Sequence, residues 1–148
     1  PSNRARVSGY RWAMEDAGFD PSIIRMEDTT IETGYRALRQ ALEQQPETTA
    51  VFAINDAMAM GALRAAQDMG RNLPGDLAVI GFDDVVAAAH VCPSLTTMRV
   101  PKRQLGALAA RRLVERLRQE NGDAEAAVIS MVNAELVLRA SCGCEEKP

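Results

Sequence analysis

The sequence predicts an α/β fold built on an open, three-layer parallel sheet. The stretch AVFAINDAMAMGALRAAQDMGRNLPGDLAVIGFDD, Ala50 to Asp84, carries most of that prediction. Three observations in it matter. Ala50–Ile54 and Leu77–Phe82 are apolar runs of strand length, suited to strands buried on both faces. Each run stops abruptly in polar residues, Asn55-Asp56 and Asp83-Asp84. Between them lies a helical segment, with Asp56 expected as its cap, Gly70 as its stop and Pro74-Gly75 as the following turn. A strand–helix–strand unit of this kind makes two parallel strands. It brings Asn55, Asp56, Asp83 and Asp84 to one carboxyl edge, where ligands bind in open α/β sheets.

The remaining elements follow in chain order. Val7, Tyr10, Met14 and Ala17 recur at helical spacing and predict a first helix over Asn3–Ala17, capped by Ser2 and stopped by Gly18. Ile23–Met26 reads as a strand and Glu27–Thr30 as a polar loop at its carboxyl end. A second helix runs to about Gln45, with Leu38, Ala41 and Leu42 inward and Pro46 ending it. After Asp84, the small-residue stretch Val85–His90 predicts a short helix or turn, and Leu95–Val100 a strand stopped by Pro101. Lys102–Glu120 is a long amphipathic helix with a stripe of Leu105, Ala109, Leu113 and Leu117. Val128–Val132 and Glu135–Arg139 read as two short strands, and no internal repeat or low-complexity segment is visible.

Composition narrows the function classes. The chain has 148 residues, enough for one domain with a proper core, and 47% of them are hydrophobic. Aromatics make up only 4%, so Ala, Leu, Val and Met must fill that core. A net charge of −3 argues against nucleic-acid binding by this segment, which needs a basic face. The apolar runs are too short to span a membrane. The first residues, Pro1-Ser2-Asn3, read as those of an excised piece. Cys92, Cys142 and Cys144 form no disulfide framework and point to a reducing compartment, so a cytoplasmic location is expected. Cys142-Gly143-Cys144 offers two zinc ligands where about four are needed, so no metal is expected. Free thiols are the favoured reading. His90, the only histidine, and Cys92 are too close in sequence to align as a base–nucleophile pair, and Gly61, Gly70 and Gly75 do not supply a dinucleotide fingerprint. Neither an enzyme nor a cofactor is expected.

The phrases AINDAMAMGALRAAQDMG, LPGDLAVIGFDD, PSLTTMR and ELVLRAS, in this order, resemble the effector-binding core of LacI/GalR-family transcription regulators, whose fold is that of periplasmic sugar-binding proteins. Arg4-Ala5-Arg6 followed by Gly9-Tyr10 adds a weaker match. The resemblance covers nearly the whole chain. It implies an incomplete, periplasmic-binding-protein-like lobe. Residues 1–100 would form the C-terminal lobe without its first strand, and residues 101–122 a helix of the missing first lobe. Residues 123–140 would supply return strands and 141–148 a tail. It also implies a small polar ligand, a sugar or nucleoside, gripped by lobe closure. A homodimer is implied too, with DNA bound only through an N-terminal helix-turn-helix that lies outside this sequence. The alternative output is a sensor or solute-binding domain of a signalling or transport protein.

Four residues are singled out for ligand contact. Asp83, a carboxylate at a strand end, can accept two hydroxyl hydrogen bonds, whereas Asp84 is expected to cap the next turn. Asn55 carries both a donor and an acceptor, and its neighbour Asp56 is expected to cap the helix. By resemblance, Arg6 reaches the cleft opposite Asp83 with a fork of donors. Thr29 stands where several family members carry an aromatic that stacks on the ligand. Met60 and Leu63 are expected on the solvent side of their helix, in the dimer interface that the resemblance implies.

Overall fold

A computed structural model describes residues 2–118 and 130–144. Among the described residues there are four α-helices: α1 (Ser2–Asp16), α2 (Ile31–Gln44), α3 (Asp56–Asp68) and α4 (Lys102–Arg118). Four strands, β1 (Ala50–Phe52), β2 (Ala78–Asp83), β3 (Thr96–Arg99) and β4 (Glu135–Val137), form one sheet in the order β1-β2-β3-β4. β1, β2 and β3 run parallel and β4 is antiparallel to β3. The α/β fold with a mostly parallel open sheet is therefore as expected. One-turn 3-10 helices sit at Val86–Ala89 and Ala140–Cys142.

Local chemistry accounts for the helix ends. Gly18 closes α1 at φ 77°, with Phe19 N donating to Met14 O at 2.9 Å, the hydrogen bond of a left-handed C-terminal cap. The Thr30 hydroxyl caps α2 by accepting from Thr33 N. The α3 cap differs from expectation: Asn55 Oδ1 accepts from Met58 N at 2.9 Å. Asp56 is the first helical residue, fully buried and facing inward.

The core is aliphatic, as the composition requires: Leu38 and Leu42 from α2, Ala59, Ala62, Leu63, Ala65 and Ala66 from α3, and Leu77, Val79 and Leu95 around the strands. Two glycines bring α2 and α3 into backbone contact. A Cβ on Gly61 would overlap the Ile31 carbonyl and lie 2.7 Å from Tyr35 N, and one on Gly34 would lie 2.5 Å from Met58 Cα. This close crossing turns Leu63 inward, at 3% exposure, which corrects its expected solvent-facing position. Met60 is half-buried.

Three expected strands differ. Ile23–Met26 joins no ladder, although Ile23, Ile24 and Met26 are half-buried. β1 is an edge strand, not one buried on both faces, and Phe52 is 40% exposed. The Val128–Val132 segment lies partly outside the described residues, and its described part, 130–132, is not a strand. The end of the expected helix at Gln119-Glu120 also lies outside them. No residue of α4 is buried. Its stripe faces solvent, with Leu113 and Leu117 at 61% and 76% exposure.

Gly61→Ala is expected to destabilise the fold by about 1–3 kcal/mol, because the added methyl meets main chain that cannot move aside. Urea denaturation checks this. A midpoint equal to the parent's would show that α2 and α3 can separate freely.

Candidate functional site

The carboxyl ends of β1 and β2 converge on a polar patch entered by the first turns of α1. Arg6 crosses from α1 and donates through Nη1 to Ile54 O at 2.6 Å and through Nη2 to Asp83 Oδ1 at 3.2 Å. Its guanidinium lies 3.8 Å from the Phe82 ring centroid, a cation–π contact that holds the fork flat. The Arg6 and Asp83 side chains remain 18% and 32% exposed. The pair is therefore reachable from solvent. The structure brings these two sequence-predicted residues together.

Asp83 is also conformationally unusual. Its φ is 114° and that of Asp84 is 47°, values that side chains other than glycine's seldom adopt. Such strain persists only where surrounding contacts hold it, and it concentrates at binding sites. Here the contacts are identifiable. Lys102 Nζ donates to Asp83 O at 2.5 Å. Asp84 Oδ2 accepts from Arg99 Nε at 2.6 Å, and Asp84 Oδ1 accepts from Arg139 Nη2 at 2.7 Å. Arg139 also donates to Leu95 O at 2.8 Å.

Asp84 is thus an ion-pair hub and not the expected turn cap, because β3 and the chain after β4 place two guanidiniums beside it. Neither arginine is conspicuous in the sequence. The signal is that Arg99 and Arg139 lie at or next to the ends of the two strand-like runs that join the sheet beyond β2, inside the phrases PSLTTMR and ELVLRAS. Lys102 and Phe82 were likewise not anticipated.

Asn55 lies at the same edge but is committed to structure on two sides. It caps α3, and its Nδ2 donates to Thr29 O at 3.1 Å. Thr29 is exposed beside it and meets Asn55 through its main chain. Asp56 does not reach the surface. Its Oδ1 accepts from Thr97 Oγ1 at 2.5 Å and its Oδ2 from Val85 N at 2.8 Å, so it ties β2's exit to β3. The patch offers one carboxylate, one guanidinium and one amide around an aromatic face. That set suits hydroxyl-rich ligands, and it contains no activated nucleophile.

Burial disfavours the charge on Asp84, but the hydrogen bonds from Arg99 and Arg139 outweigh it and hold the carboxyl below its ordinary range. A carboxylate whose folded pKa is depressed adds stability above its ordinary pKa and loses it as pH falls through the folded value. Asp84→Asn is expected to cost about 1–3 kcal/mol at pH 7 and much less at about pH 2–3, where the parent loses the same interaction. Chemical denaturation across pH measures this, and an equal cost at both extremes would remove the ion pairs from the account.

Comparison with known proteins bears on the fold and the family. Residues 1–142 match the family described as periplasmic binding protein-like domain. The HTH-type transcriptional repressor PurR of Edwardsiella ictaluri is 40% identical over 122 residues, covering 81% of this chain and 36% of that protein. A structure of a transcriptional regulator CelR–cellobiose complex is 35% identical with a TM-score of 0.84, covering 92% of this chain and 41% of that one. A LacI family transcriptional regulator from Arthrobacter sp. FB24 in complex with lactose is 33% identical with a TM-score of 0.77, covering 88% and 47%. The chain spans about a third of the length of the curated relative it matches. With its family match running almost end to end, this chain belongs to the periplasmic binding protein-like domain family and is a partial effector domain of the LacI-regulator kind.

Proposed function

We propose that this chain is the ligand-sensing lobe of a DNA-binding transcription regulator and binds a small polar effector, a sugar or a nucleoside. The observation that carries the reading is the solvent-reachable Arg6–Asp83 pair at a strained strand end. A ligand hydroxyl can insert there, donating to Asp83 while accepting from Arg6. The relatives solved with cellobiose and lactose support a glycan. Thr29 offers no ring to stack on, so Phe82 is the aromatic surface nearest the pair, and Asn55 and the Thr29 hydroxyl complete the polar rim.

Helix α4 belongs in this reading to the other lobe. Its exposed Leu113 and Leu117 stripe is the surface that lobe would cover. Ligand draws the lobes together at Asp83 and Arg6, and closure alters the pairing of two copies and hence the affinity for DNA, which is contacted by a separate helix-turn-helix. The protein works in the cytoplasm and catalyses no reaction. Among the described residues, no helix is long and apolar enough to cross a membrane.

A thermal-shift screen of sugars and nucleosides on the full-length protein identifies the effector, because a ligand that binds only the folded state raises its midpoint. Asp83→Asn and Arg6→Ala are each expected to weaken binding about tenfold or more, from the loss of a charged hydrogen bond of roughly 1.5–3 kcal/mol. Undiminished affinity in both variants would sink the site.

The dimer contact is assigned to the outer side of α3 around half-buried Met60, without Leu63. Met60→Glu is expected to shift sedimentation toward monomer with an unchanged circular dichroism spectrum. A dimer that survives the change would place the interface elsewhere.

A further inference from the structure

Cys142-Gly143-Cys144 takes no part in the polar patch, yet it is a built turn. Ser141, just before it, is fully buried. The Ser141 hydroxyl donates to Val79 O at 2.6 Å and accepts from Thr96 N at 2.9 Å. Its amide donates to Ser94 O at 2.9 Å. These bonds seat the one-turn helix Ala140–Cys142 against β2 and β3. Cys142 is half-buried there, while Cys144 is exposed.

Gly143 sets the spacing of the two thiols. It has φ 71° and ψ 6°, a left-handed conformation that a side chain disfavours. Helical dihedrals of either hand place the residues on each side about 5.4 Å apart at Cα. A disulfide spans roughly 4.4–6.8 Å between Cα atoms, so the pair is within reach of one another. The fold of the turn is closed by Cys144 N, which donates to Cys142 Sγ at 3.4 Å. Gly143 rests on Pro74, whose Cγ lies 3.5 Å from where a Cβ would stand.

The two thiols are unequal. Burial disfavours charge on Cys142, but hydrogen bonds from the Thr96 hydroxyl and from Cys144 outweigh it and hold the thiol below its ordinary range. The hydrogen bond to Cys142 and the charge there push the Cys144 thiol up. A thiol held as thiolate beside a protonated neighbour is the arrangement of an attacking and a resolving cysteine.

We propose that Cys142 and Cys144 form a reversible dithiol–disulfide site that exchanges with low-molecular-weight disulfides of the glutathione class, Cys142 attacking and Cys144 resolving. The Cys142 thiolate attacks one sulfur of the small disulfide. Its S–S bond breaks, a mixed disulfide forms on Cys142, and one small thiolate leaves. Cys144 gives its proton to solvent and attacks Cys142 Sγ. The Cys142–Cys144 bond forms and the second small thiolate leaves. The pair has then lost two electrons, and the small disulfide has been reduced to two thiols. The site shares no residue with the Arg6–Asp83 pair, and its chemistry does not depend on the identity of any effector.

The test uses this chain with Cys92→Ser, so that one pair remains. The protein is equilibrated in mixtures of reduced and oxidised glutathione and alkylated. Mass spectrometry of the peptide that follows Arg139 then reads the state of both thiols. They are expected to be lost together, within single chains and with little mixed disulfide. Adding Cys144→Ser should trap glutathione on Cys142 and raise the mixed disulfide roughly tenfold. With Cys142→Ser instead, Cys144 should be modified several-fold more slowly than Cys142 is in the Cys144→Ser variant. Independent modification of the two thiols, disulfides formed only between chains, or mixed disulfide no higher in Cys144→Ser than in the parent overturns the proposal. Faster attack by Cys144 than by Cys142 overturns it as well.

Discussion

The buried carboxylate of Asp56 is the constraint on which the rest of the molecule hangs. It is fully buried, and both its oxygens are engaged, by Thr97 Oγ1 and Val85 N. A buried charge left unpaired costs several kcal/mol, so these partners are obligatory. Its place in the first turn of α3 adds the favourable field of the helix N-terminus. Through this one group α3 is fixed against the exit of β2 and the middle of β3. Gly81 makes room for it, since a Cβ there would collide with Asp56 Oδ1 and lie 3.0 Å from the Leu95 side chain. Position 81 is small because position 56 is a buried acid.

That anchor explains why the carboxyl edge of the sheet can be strained. The chain turns sharply after β2 so that Val85 N can reach Asp56, and Asp83 and Asp84 adopt positive φ in the turn. The cost is of order 1–3 kcal/mol per residue. It is offset by Arg99 and Arg139 on Asp84 and by Lys102 on the Asp83 carbonyl. The two neighbouring acids therefore divide the work. Asp84 is consumed by structure, while Asp83 keeps one ion pair and a third of its surface open.

The apolar surfaces tell a complementary story. Trp12, Phe52, Leu113 and Leu117 are all more than a third exposed, and they lie on α1, the β1 edge and α4. These elements bound the sheet and are not packed inside it. The well-packed unit is α2 and α3 laid on β2 and β3, joined by backbone contact at Gly34 and Gly61. The periphery carries these exposed apolar residues.

Much was legible in the sequence for local reasons. Apolar runs ending in Asn55-Asp56 and Asp83-Asp84 specify parallel strands and a polar carboxyl edge, because both signals depend only on neighbouring residues. Glycine stops, turn residues and helical spacing located α1, α2, α3 and α4 in the same way, and the family phrases placed Arg6 opposite Asp83. What only the tertiary structure decided was which polar group faces which partner. Asn55, not Asp56, caps α3, because Thr97 and Val85 draw the carboxylate inward from 41 and 29 residues away. Leu63 is core because Gly34 and Gly61 let two helix backbones touch. Ile23–Met26 has a strand's composition but no ladder, since a strand exists only beside another strand. Propensity belongs to a residue and its neighbours, whereas pairing belongs to two distant segments, and no single stretch of sequence encodes it.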